Sequence, residues 1–588
     1  MRTYCTISLI LTMGFVGIVP ADDAWIGKTV LATKPPKDIA MSDAIDGKPG
    51  KSFAGVWPLT VRQDRAGRLQ IHDGQREGWV DKADFVLAAE APAYFDKRVA
   101  ANPKDTFALF MRGAGWLHRG DPDKAIADFN ECIRLEPTNA GAFNSRGNAH
   151  IAKNDADAAI ADYGEALRLQ PKYTLAFINR GNALLAKKNY DKALADFDEA
   201  IRLDPSDALA FRSRGDAWRG KNDLDKAVRD FDEAIRLDPN DALAYDSRGL
   251  ARVRNDQALA DFSAALKLDA KNPRFHIHRG TAFAAAQDFA RAIADFDEAV
   301  RLEANDPLGF LHRGLAWTNL AKHDQALADF DAAIRLNPRD PFAFENRGLA
   351  WSAKKEFAKA IQDFDTAIRL DPGSPHAFTN RGNAYSSQKA YDRAIVDYDQ
   401  SIRLDPQRAN AFNNRGLAWS AKALPERALK DFNEALRINP GDPQTLLNRG
   451  IAWDMLKNFD QAIADFDEAL RLDPKNLAAL NARGVAWKSN GNLASAIRDF
   501  TEAIRLDPQS ALAYTNRGLA YSAAREFDKA LEDFGAALRL DPENRFAVSG
   551  RGHAWRFKNE YAKSIQDYSE ALRLDPKDAL TLLSRGYV

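Results

Sequence analysis

An Arg-Gly pair returns along this chain at a nearly constant interval, and this regularity constrains the fold more than any other feature. The fifteen pairs begin at Arg112 and end at Arg585, and every interval is 34 residues except the 31 residues from Arg248 to Arg279. A fixed period of this size indicates a solenoid, in which each copy packs against its neighbours. The sequence therefore predicts a repeat array over most of the 588 residues.

The copy at residues 344–372 begins with a helical pattern. Phe344, Gly348 and Trp351 share one helical face at the spacing i, i+4 and i+7. A glycine inside a helix costs about 1 kcal/mol relative to alanine. We therefore expect Gly348 to mark a place where another helix passes too close for a Cβ atom.

A second helical pattern follows in the same copy and ends at a proline. Ala360, Phe364 and Ala367 lie on one stripe, and Pro372 prevents the helix from continuing. Each copy is therefore predicted to form two antiparallel helices of about three turns each. The alanines offer small surfaces to Gly348, and the aromatic residues fill the seam to the next copy. Because one copy cannot bury this face alone, neighbouring copies must stack.

These residues together resemble the tetratricopeptide repeat, whose pattern is W-x2-L-G-x2-Y, then A-x3-F, then P. The matching residues are Phe344, Arg347, Gly348 and Trp351, followed by Ala360 and Phe364, and then Pro372. The resemblance covers residues 102–588. It implies a mainly α fold, a right-handed α-solenoid of about fourteen helical hairpins. It also implies that the first helices line a concave groove that holds partner proteins.

The arginine departs from the leucine that the family pattern has at this place. Arg347 has Asp363 available on the second helix, and every copy keeps an aspartate just before the second-helix aromatic residue. Because a buried arginine is tolerated only when it is paired, we expect an Arg–Asp pair inside each hairpin. The alternative is a row of arginines that faces the groove and binds acidic ligands. Arg–Asp distances beyond hydrogen-bond reach would favour that alternative.

Asparagines precede the arginine in several copies and are candidates for a peptide-binding groove: Asn179, Asn346, Asn380, Asn414, Asn448 and Asn516. These residues resemble the asparagines at the corresponding place in the superhelix of O-linked N-acetylglucosamine transferase, which form a ladder that holds the backbone of extended peptides. An amide offers both a donor and an acceptor, so it can pair with any peptide group. The alternative is that these amides bond within or between first helices. The place before the ladder position varies between copies. In one copy that lacks the ladder asparagine, for example, it holds Asn481.

The first residues form a separate segment. Residues 1–21 have an early arginine, an apolar run and a Val-Pro-Ala end. That pattern predicts a signal peptide, and hence an exported protein in the periplasm, the cell envelope or the medium. No second apolar run of membrane length follows, so no membrane span is expected after cleavage.

Residues 22–90 have a different sequence pattern from the array, with short β-prone runs separated by Gly, Pro and Asp. Five residues resemble the closing segment of bacterial SH3-like domains, in which a tryptophan ends one strand and a short turn leads to the last: Gly78, Trp79, Val80, Asp84 and Val86. The resemblance implies a small all-β domain that binds peptides or cell-wall polymer. The alternative is a structural cap on the first repeat. Residues 91–101, with a helical tendency after Pro92, are expected to be a linker.

The array is irregular in two places. At residues 250–305 one inter-helix turn is three residues shorter, and two adjacent copies carry Ala270 and Ala304 in place of the proline. We expect a kink or hinge there, unless the stack absorbs the change. Residues 577–588 form an incomplete last copy.

Charge and motifs exclude several classes of function. The 82 Lys and Arg residues nearly balance the 83 Asp and Glu residues, so the basic excess of a nucleic-acid-binding protein is missing. The sequence carries no motif of a catalytic, cofactor or metal site. We therefore expect a protein-interaction scaffold that is not an enzyme. The alternative is a cell-envelope component whose SH3-like domain binds cell-wall polymer while the array serves as an assembly arm.

Overall fold

The N-terminal part of the computed structural model is a small antiparallel sheet. The structure describes residues 27–34, 39–42, 51–52, 59–65, 67–72, 77–252 and 256–587, so the predicted signal peptide lies outside the described residues. The strands are β1 (Thr29–Ala32), β2 (Ala40–Met41), β3 (Lys51–Ser52), β4 (Leu59–Arg65), β5 (Arg68–His72), β6 (Glu77–Asp81) and β7 (Phe85–Leu87). Five of them form one sheet in the order β6-β5-β4-β1-β7, and β2 pairs with β3.

Alternation along β4 buries one face of that strand, whereas β1 is buried on both faces. In β4 the side chains of Leu59 and Val61 are buried while Thr60 between them is exposed. After β6 the chain makes one short 3-10 turn at Lys82–Asp84 and returns as β7, which pairs with β1. This strand, turn and strand agree with the predicted closing segment and with a small β domain. Identification as an SH3-like domain stays a prediction.

Residues 91–101, expected to be a linker, form helix α1 (Ala91–Ala101). Ala91 and Phe95 are buried, and their four-residue spacing is that of Ala360 and Phe364 in the array. Arg112 of the first hairpin donates from Nη1 to Asp96 Oδ1 at 2.8 Å, a contact that later hairpins make with the second helix before them. The helix α1 therefore packs as the second helix of a half repeat.

From α2 onward the described chain forms fourteen consecutive helical hairpins and a last short helix. The first helices of the hairpins are α2 (Thr106–His118), α4 (Ala140–Ala152), α6 (Thr174–Ala186), α8 (Ala208–Gly220), α10 (Ala242–Arg252), α12 (Pro273–Ala285), α14 (Pro307–Asn319), α16 (Pro341–Ala353), α18 (Pro375–Ser387), α20 (Ala409–Ala421), α22 (Pro443–Met455), α24 (Leu477–Ser489), α26 (Ala511–Ala523) and α28 (Arg545–Phe557). The second helices are α3 (Pro122–Leu135), α5 (Ala156–Leu169), α7 (Tyr190–Leu203), α9 (Leu224–Leu237), α11 (Asp256–Leu268), α13 (Phe289–Leu302), α15 (His323–Leu336), α17 (Phe357–Leu370), α19 (Tyr391–Leu404), α21 (Pro425–Ile438), α23 (Phe459–Leu472), α25 (Leu493–Leu506), α27 (Phe527–Leu540) and α29 (Tyr561–Leu574), and the last helix is α30 (Ala579–Gly586).

Local signals explain where these helices begin and end. The Asp340 carboxylate accepts a hydrogen bond from Phe342 N at 3.0 Å and so caps α16, whose first residue is a proline. Between α16 and α17 the chain reverses through Lys355, which has a φ of 61°. The second helix α17 ends at Leu370, two residues before the exposed Pro372. The predicted two-helix unit is therefore present.

The chain divides into two compact units, Met1–Glu303 (unit 1) and Ala304–Val588 (unit 2). In the shortened copy, α10 ends at Arg252 and residues 253–255 lie outside the described part. Pro273 and Pro307 each begin a first helix. A kink at residues 250–305 stays a prediction. Within the described residues, no helix combines the length and the apolar character that a bilayer crossing requires.

Candidate functional site

Each first helix presents a glycine to an aromatic ring of its own second helix. A Cβ atom on Gly348 would lie 2.6 Å from Cε1 of Phe364. The same glycine–ring contact, with distances of 2.5–3.0 Å, occurs in all fourteen described hairpins. The close neighbour is thus the ring, whereas Ala360 and Ala367 lie buried beside it on α17. A larger residue at Gly348 would push this ring out of its place.

The arginine before that glycine forms a two-pronged ion pair with the second helix. Arg347 donates from Nε to Asp363 Oδ2 at 2.8 Å and from Nη2 to Asp363 Oδ1 at 2.6 Å. Equivalent pairs occur in every described hairpin, so the expected Arg–Asp pairing is present. Burial raises the pKa of the Asp363 carboxyl, and the bonds from Arg347 oppose that shift. Because Nε and Nη2 both bond Asp363, Arg347 is held inside its own hairpin, as the first of the two alternatives predicts.

The same guanidinium also joins neighbouring hairpins. The third nitrogen of Arg347, Nη1, donates to Asp331 Oδ1 on the preceding second helix at 2.7 Å. The arginine Cζ lies 5.4 Å from the centre of the Phe344 ring on its own helix. On the other side of the hairpin, Trp351 packs with Ala360 and with Ala384 of the next hairpin. Gly348, Arg347 and Trp351 therefore hold the stack together.

The asparagines of the predicted ladder donate mostly to neighbouring first helices. Asn179 donates from Nδ2 to Asn144 Oδ1 at 3.0 Å, and Asn380 donates to Glu345 Oε1 at 2.7 Å. The same kind of bond joins Asn414 to Asn383 at 2.9 Å and Asn448 to Asn413 at 2.9 Å. These geometries match the alternative in which the amides connect first helices. A peptide-binding role for their remaining atoms stays a prediction.

Two members of the ladder differ from the others. Asn346 donates to the carbonyl of Phe342 one turn earlier on its own helix, at 2.8 Å. Asn516 instead lies at the rim of a surface pocket in unit 2. The six candidates therefore do not form one uniform row.

A different position of the first helices carries several of the exposed apolar residues of unit 2. At the ninth residue of α16, α20 and α22 stand Leu349, Leu417 and Ile451, whose exposed fractions are 39%, 42% and 43%. Leu315, Val485 and Leu519 occupy the same place in α14, α24 and α26 and are half-buried. Consecutive first helices contact one another within the unit. We call these six residues the apolar stripe.

The stripe is interrupted where the second helix carries tyrosine instead of phenylalanine. Tyr398 Oη donates to Asn383 Oδ1, the ninth residue of α18, at 2.8 Å. In unit 1, Tyr163 Oη donates in the same way to Asn148 Oδ1 at 2.7 Å. A buried hydroxyl without a partner costs about 1–3 kcal/mol, so a tyrosine at the ring position requires a polar ninth residue. Comparing the two positions across copies would have found this pairing in the sequence.

A pocket of about 320 Å³ opens between α22, α24 and α26 in unit 2. Its walls are formed by Ile451, Asp454, Phe466, Asn481, Ala482, Val485, Leu512 and Asn516. Within the described part of the chain, Asp454 Oδ1 and Asn481 Oδ1 are buried side-chain atoms that have no hydrogen-bond partner. Burial raises the pKa of the Asp454 carboxyl. Sequence reasoning missed Asp454 because only the fold shows that it lacks a partner.

Cys132 and two histidines of unit 1 lie against other groups of the chain. Cys132 is fully buried, and burial raises the pKa of its thiol to about 12, so the thiol is protonated at neutral pH. His276 Nδ1 lies 3.2 Å from Asp295, and His278 Nδ1 lies 2.8 Å from Asp246. The described residues contain no cluster of three or more side chains suited to a metal ion.

Three solved structures illustrate what this chain is similar to. The Cut9–Hcn1 hetero-tetramer of APC/C is 16% identical, covers 84% of this chain and 98% of its own, and has a TM-score of 0.47. A tetratricopeptide repeat protein from Parabacteroides merdae is 19% identical over 42% of this chain and 98% of its own, with a TM-score of 0.35. YrrB, described as a tetratricopeptide repeat protein with an unusual peptide-binding site, is 24% identical over 31% of this chain and 95% of its own, with a TM-score of 0.28.

Sequence families identify the repeat directly. No curated protein matches the chain. Models described as tetratricopeptide repeat match residues 106–139, 144–208, 178–242, 250–307, 319–375, 375–408, 452–511 and 511–544. These matches cover most of the array, and its described hairpins carry the glycine and the aromatic residue of the repeat pattern, with the proline in all but two of them. The chain belongs to the tetratricopeptide repeat family.

Proposed function

We propose that the protein is an interaction scaffold whose unit 2 binds extended segments of partner proteins along its first helices. Tetratricopeptide repeats are typically non-catalytic interaction scaffolds, and the hairpins of this array follow that pattern. The observation that carries the proposal is the apolar stripe. A recurring exposed apolar residue at one position of neighbouring helices is characteristic of a binding surface, whereas scattered apolar residues are normal on any protein.

The stripe suits an extended segment for geometric reasons. Successive first helices repeat the same side-chain position, so the stripe offers apolar contacts at regular intervals on both sides of α18, where Asn383 takes this place. Polar groups stand beside it at the sixth residue of the first helices, among them the half-buried ladder residues Asn414 and Asn516. An amide that has a free acceptor or donor can bond the backbone of a bound segment whatever its sequence. Apolar contacts would then supply affinity, and the polar groups would set the orientation.

An array of capped decapeptides of random sequence, probed with the full chain, tests this proposal. The peptides that bind the full chain are the selected peptides. Replacing Leu349, Leu417 and Ile451 together by asparagine should lower the affinity for selected peptides at least tenfold. The matched control is Val396→Asn on the second helix α19, where valine is 65% exposed and lies off the stripe. Far-UV circular dichroism and urea midpoints should show that both variants fold. Peptide binding that survives the triple substitution, or that Val396→Asn abolishes equally, would contradict the proposal.

The N-terminal sheet has a structural role that the contacts favour. Leu31 and Val86 of the sheet share one buried cluster with Phe95 of α1 and Met111 of α2. Arg98 donates to the carbonyl of Thr33 at 2.8 Å. We infer that the sheet and α1 cap the first hairpin, which would otherwise expose an apolar face. Export of the protein likewise remains a proposal, which N-terminal sequencing of the mature chain would test.

A further inference from the structure

We propose that the pocket between α22, α24 and α26 receives a lysine or arginine side chain of the bound segment, with Asp454 as its counter-ion. The inference rests on the proposed function and deepens it, because it assigns a residue class to one place along unit 2. Three features of the pocket support it: an apolar wall, oxygen acceptors without partners, and a carboxylate without a cation.

The apolar wall suits the aliphatic stem of a long basic side chain. Ile451 is 43% exposed and Leu512 is 59% exposed, and Val485 lies half-buried between their helices. Lysine and arginine bury their methylene stems against such surfaces while the charged head reaches polar groups. The pocket volume of about 320 Å³ lies near the lower end for ligand pockets, which suits a side chain rather than a larger molecule.

The polar groups of the pocket are acceptors. Asn481 donates from Nδ2 to the carbonyl of Leu477 at 3.0 Å, and this bond leaves its Oδ1 as the group without a partner. Asp454 Oδ1 likewise has no partner among the described residues. Buried polar atoms are nearly always bonded, and an unpaired one is costly. A donor-bearing ligand would satisfy both oxygens, whereas a carboxylate or phosphate would add further acceptors.

No cation of the described chain neutralises this carboxylate. Burial is the cause of the raised pKa of Asp454, and no neighbouring charge contributes. Lys488 occupies the same helix position on α24, but burial alone lowers its pKa, and it forms no ion pair with Asp454 in the described structure. An ammonium or guanidinium group entering the pocket would supply the missing charge through a charge-assisted hydrogen bond. The chemistry therefore favours a basic side chain over an acidic or purely apolar one.

The decapeptide array, probed with the full chain, tests the inference. We expect selected peptides to share a lysine or arginine, and replacing that residue by norleucine should weaken binding about tenfold. Asp454→Asn should weaken the same peptides about tenfold. Asp460→Asn, which makes the same charge change at an exposed site on α23, should leave binding as in the unmodified protein.

Stability separates a binding role of Asp454 from a structural one. If the carboxylate lacks a partner, Asp454→Asn should raise the urea midpoint at neutral pH, and a lower midpoint would show a structural partner and overturn the inference. Selected peptides without a basic residue, or basic peptides that Asp454→Asn does not weaken, would overturn it while the proposed function stands. If no peptide binds the full chain, the inference and the proposed function both fail.

Discussion

Unit 1 and unit 2 share the skeleton of the hairpin but differ on the face of their first helices. Both keep the glycine–ring contact and the Arg–Asp pair in every described copy. At the ninth residue of the first helix, four of the six copies of unit 1 have a polar residue and one has Leu250, whereas six of the eight copies of unit 2 have leucine, isoleucine or valine. The polar residues of unit 1 are Asn148, Asn182, Asp216 and Thr281. Asn148 accepts from Tyr163, and Asp216 accepts from Arg219 at 2.8 Å.

The difference shows which positions the fold fixes and which it leaves open. Residues that touch the paired helix are constrained in all copies because each sits against a neighbour within hydrogen-bond or van der Waals distance. The ninth residue lies at the edge of that contact, so it can serve the hairpin's own polar groups or face outward. We infer that the face of unit 1 is used largely for internal bonds, while that of unit 2 is available to partners.

The largest expected effect tests whether the buried aromatic ring of the hairpin stabilises the two units equally. Phe197→Ala in unit 1 and Phe432→Ala in unit 2 should each lower the free energy of unfolding by about 3–5 kcal/mol, because both rings are fully buried. Urea unfolding followed by circular dichroism measures the loss, and hydrogen exchange locates it. A unit that tolerates the change would show that its hairpins rest on other contacts.

A smaller effect separates the two aspartates that bind one arginine. The side chain of Asp363 is 7% exposed and that of Asp331 is 53% exposed, although both accept from Arg347. Asp363→Asn should cost about 2–3 kcal/mol because it weakens a largely buried ion pair. Asp331→Asn should cost less than about 0.5 kcal/mol, as exposed pairs do. Equal losses in urea unfolding would mean that the bond between hairpins matters as much as the bond within one.

Giving one copy of unit 1 the ninth residue and the ring of unit 2 tests the difference between the units directly. Asn148→Leu should cost about 1–2 kcal/mol, because it leaves the hydroxyl of Tyr163 buried without its partner. Adding Tyr163→Phe should restore most of that loss and produce the Phe–Leu pair found in unit 2. A double variant that is no more stable than the single one would show that the two positions are independent.

The smallest expected effect is a pH dependence at the pocket of unit 2. The raised pKa of Asp454 means that its ionised form destabilises the folded state at pH 7. The advantage of Asp454→Asn should therefore be full at neutral pH and vanish as the pH falls toward the ordinary carboxyl value of about 3.9. Urea midpoints of the two proteins, measured from pH 7 to pH 4, give this difference. A difference that does not change with pH would contradict the assignment.

The contacts inside a hairpin could be predicted from the sequence alone, but the half repeat before the first hairpin could not. The sequence separation of sixteen from Arg347 to Asp363 places both side chains at the same level of two antiparallel helices, so their pairing could be predicted. The half repeat at α1 was missed because it has Ala91, Phe95 and Asp96 of a second helix but no Arg-Gly pair before it.

The site was harder to predict than the fold because it depends on which groups lack partners. The ladder asparagines occupy the same helix position, yet Asn380 donates a hydrogen bond to Glu345 while Asn516 lines the pocket. Their partners come from the varied fifth and ninth residues of neighbouring helices, and the repeat pattern does not constrain those positions. The unpaired Asp454 could be recognised only once all of its neighbours were in place.

Site-specific photo-crosslinking tests the central claim, that partner segments lie along the apolar stripe of unit 2. A benzophenone amino acid would be placed singly at position 417 on the stripe, at position 182 on the first-helix face of unit 1 and at position 396 on a second helix of unit 2. We predict that a selected decapeptide crosslinks at position 417 and at neither of the other two. Crosslinks at position 396 or 182 without any at 417 would contradict the account.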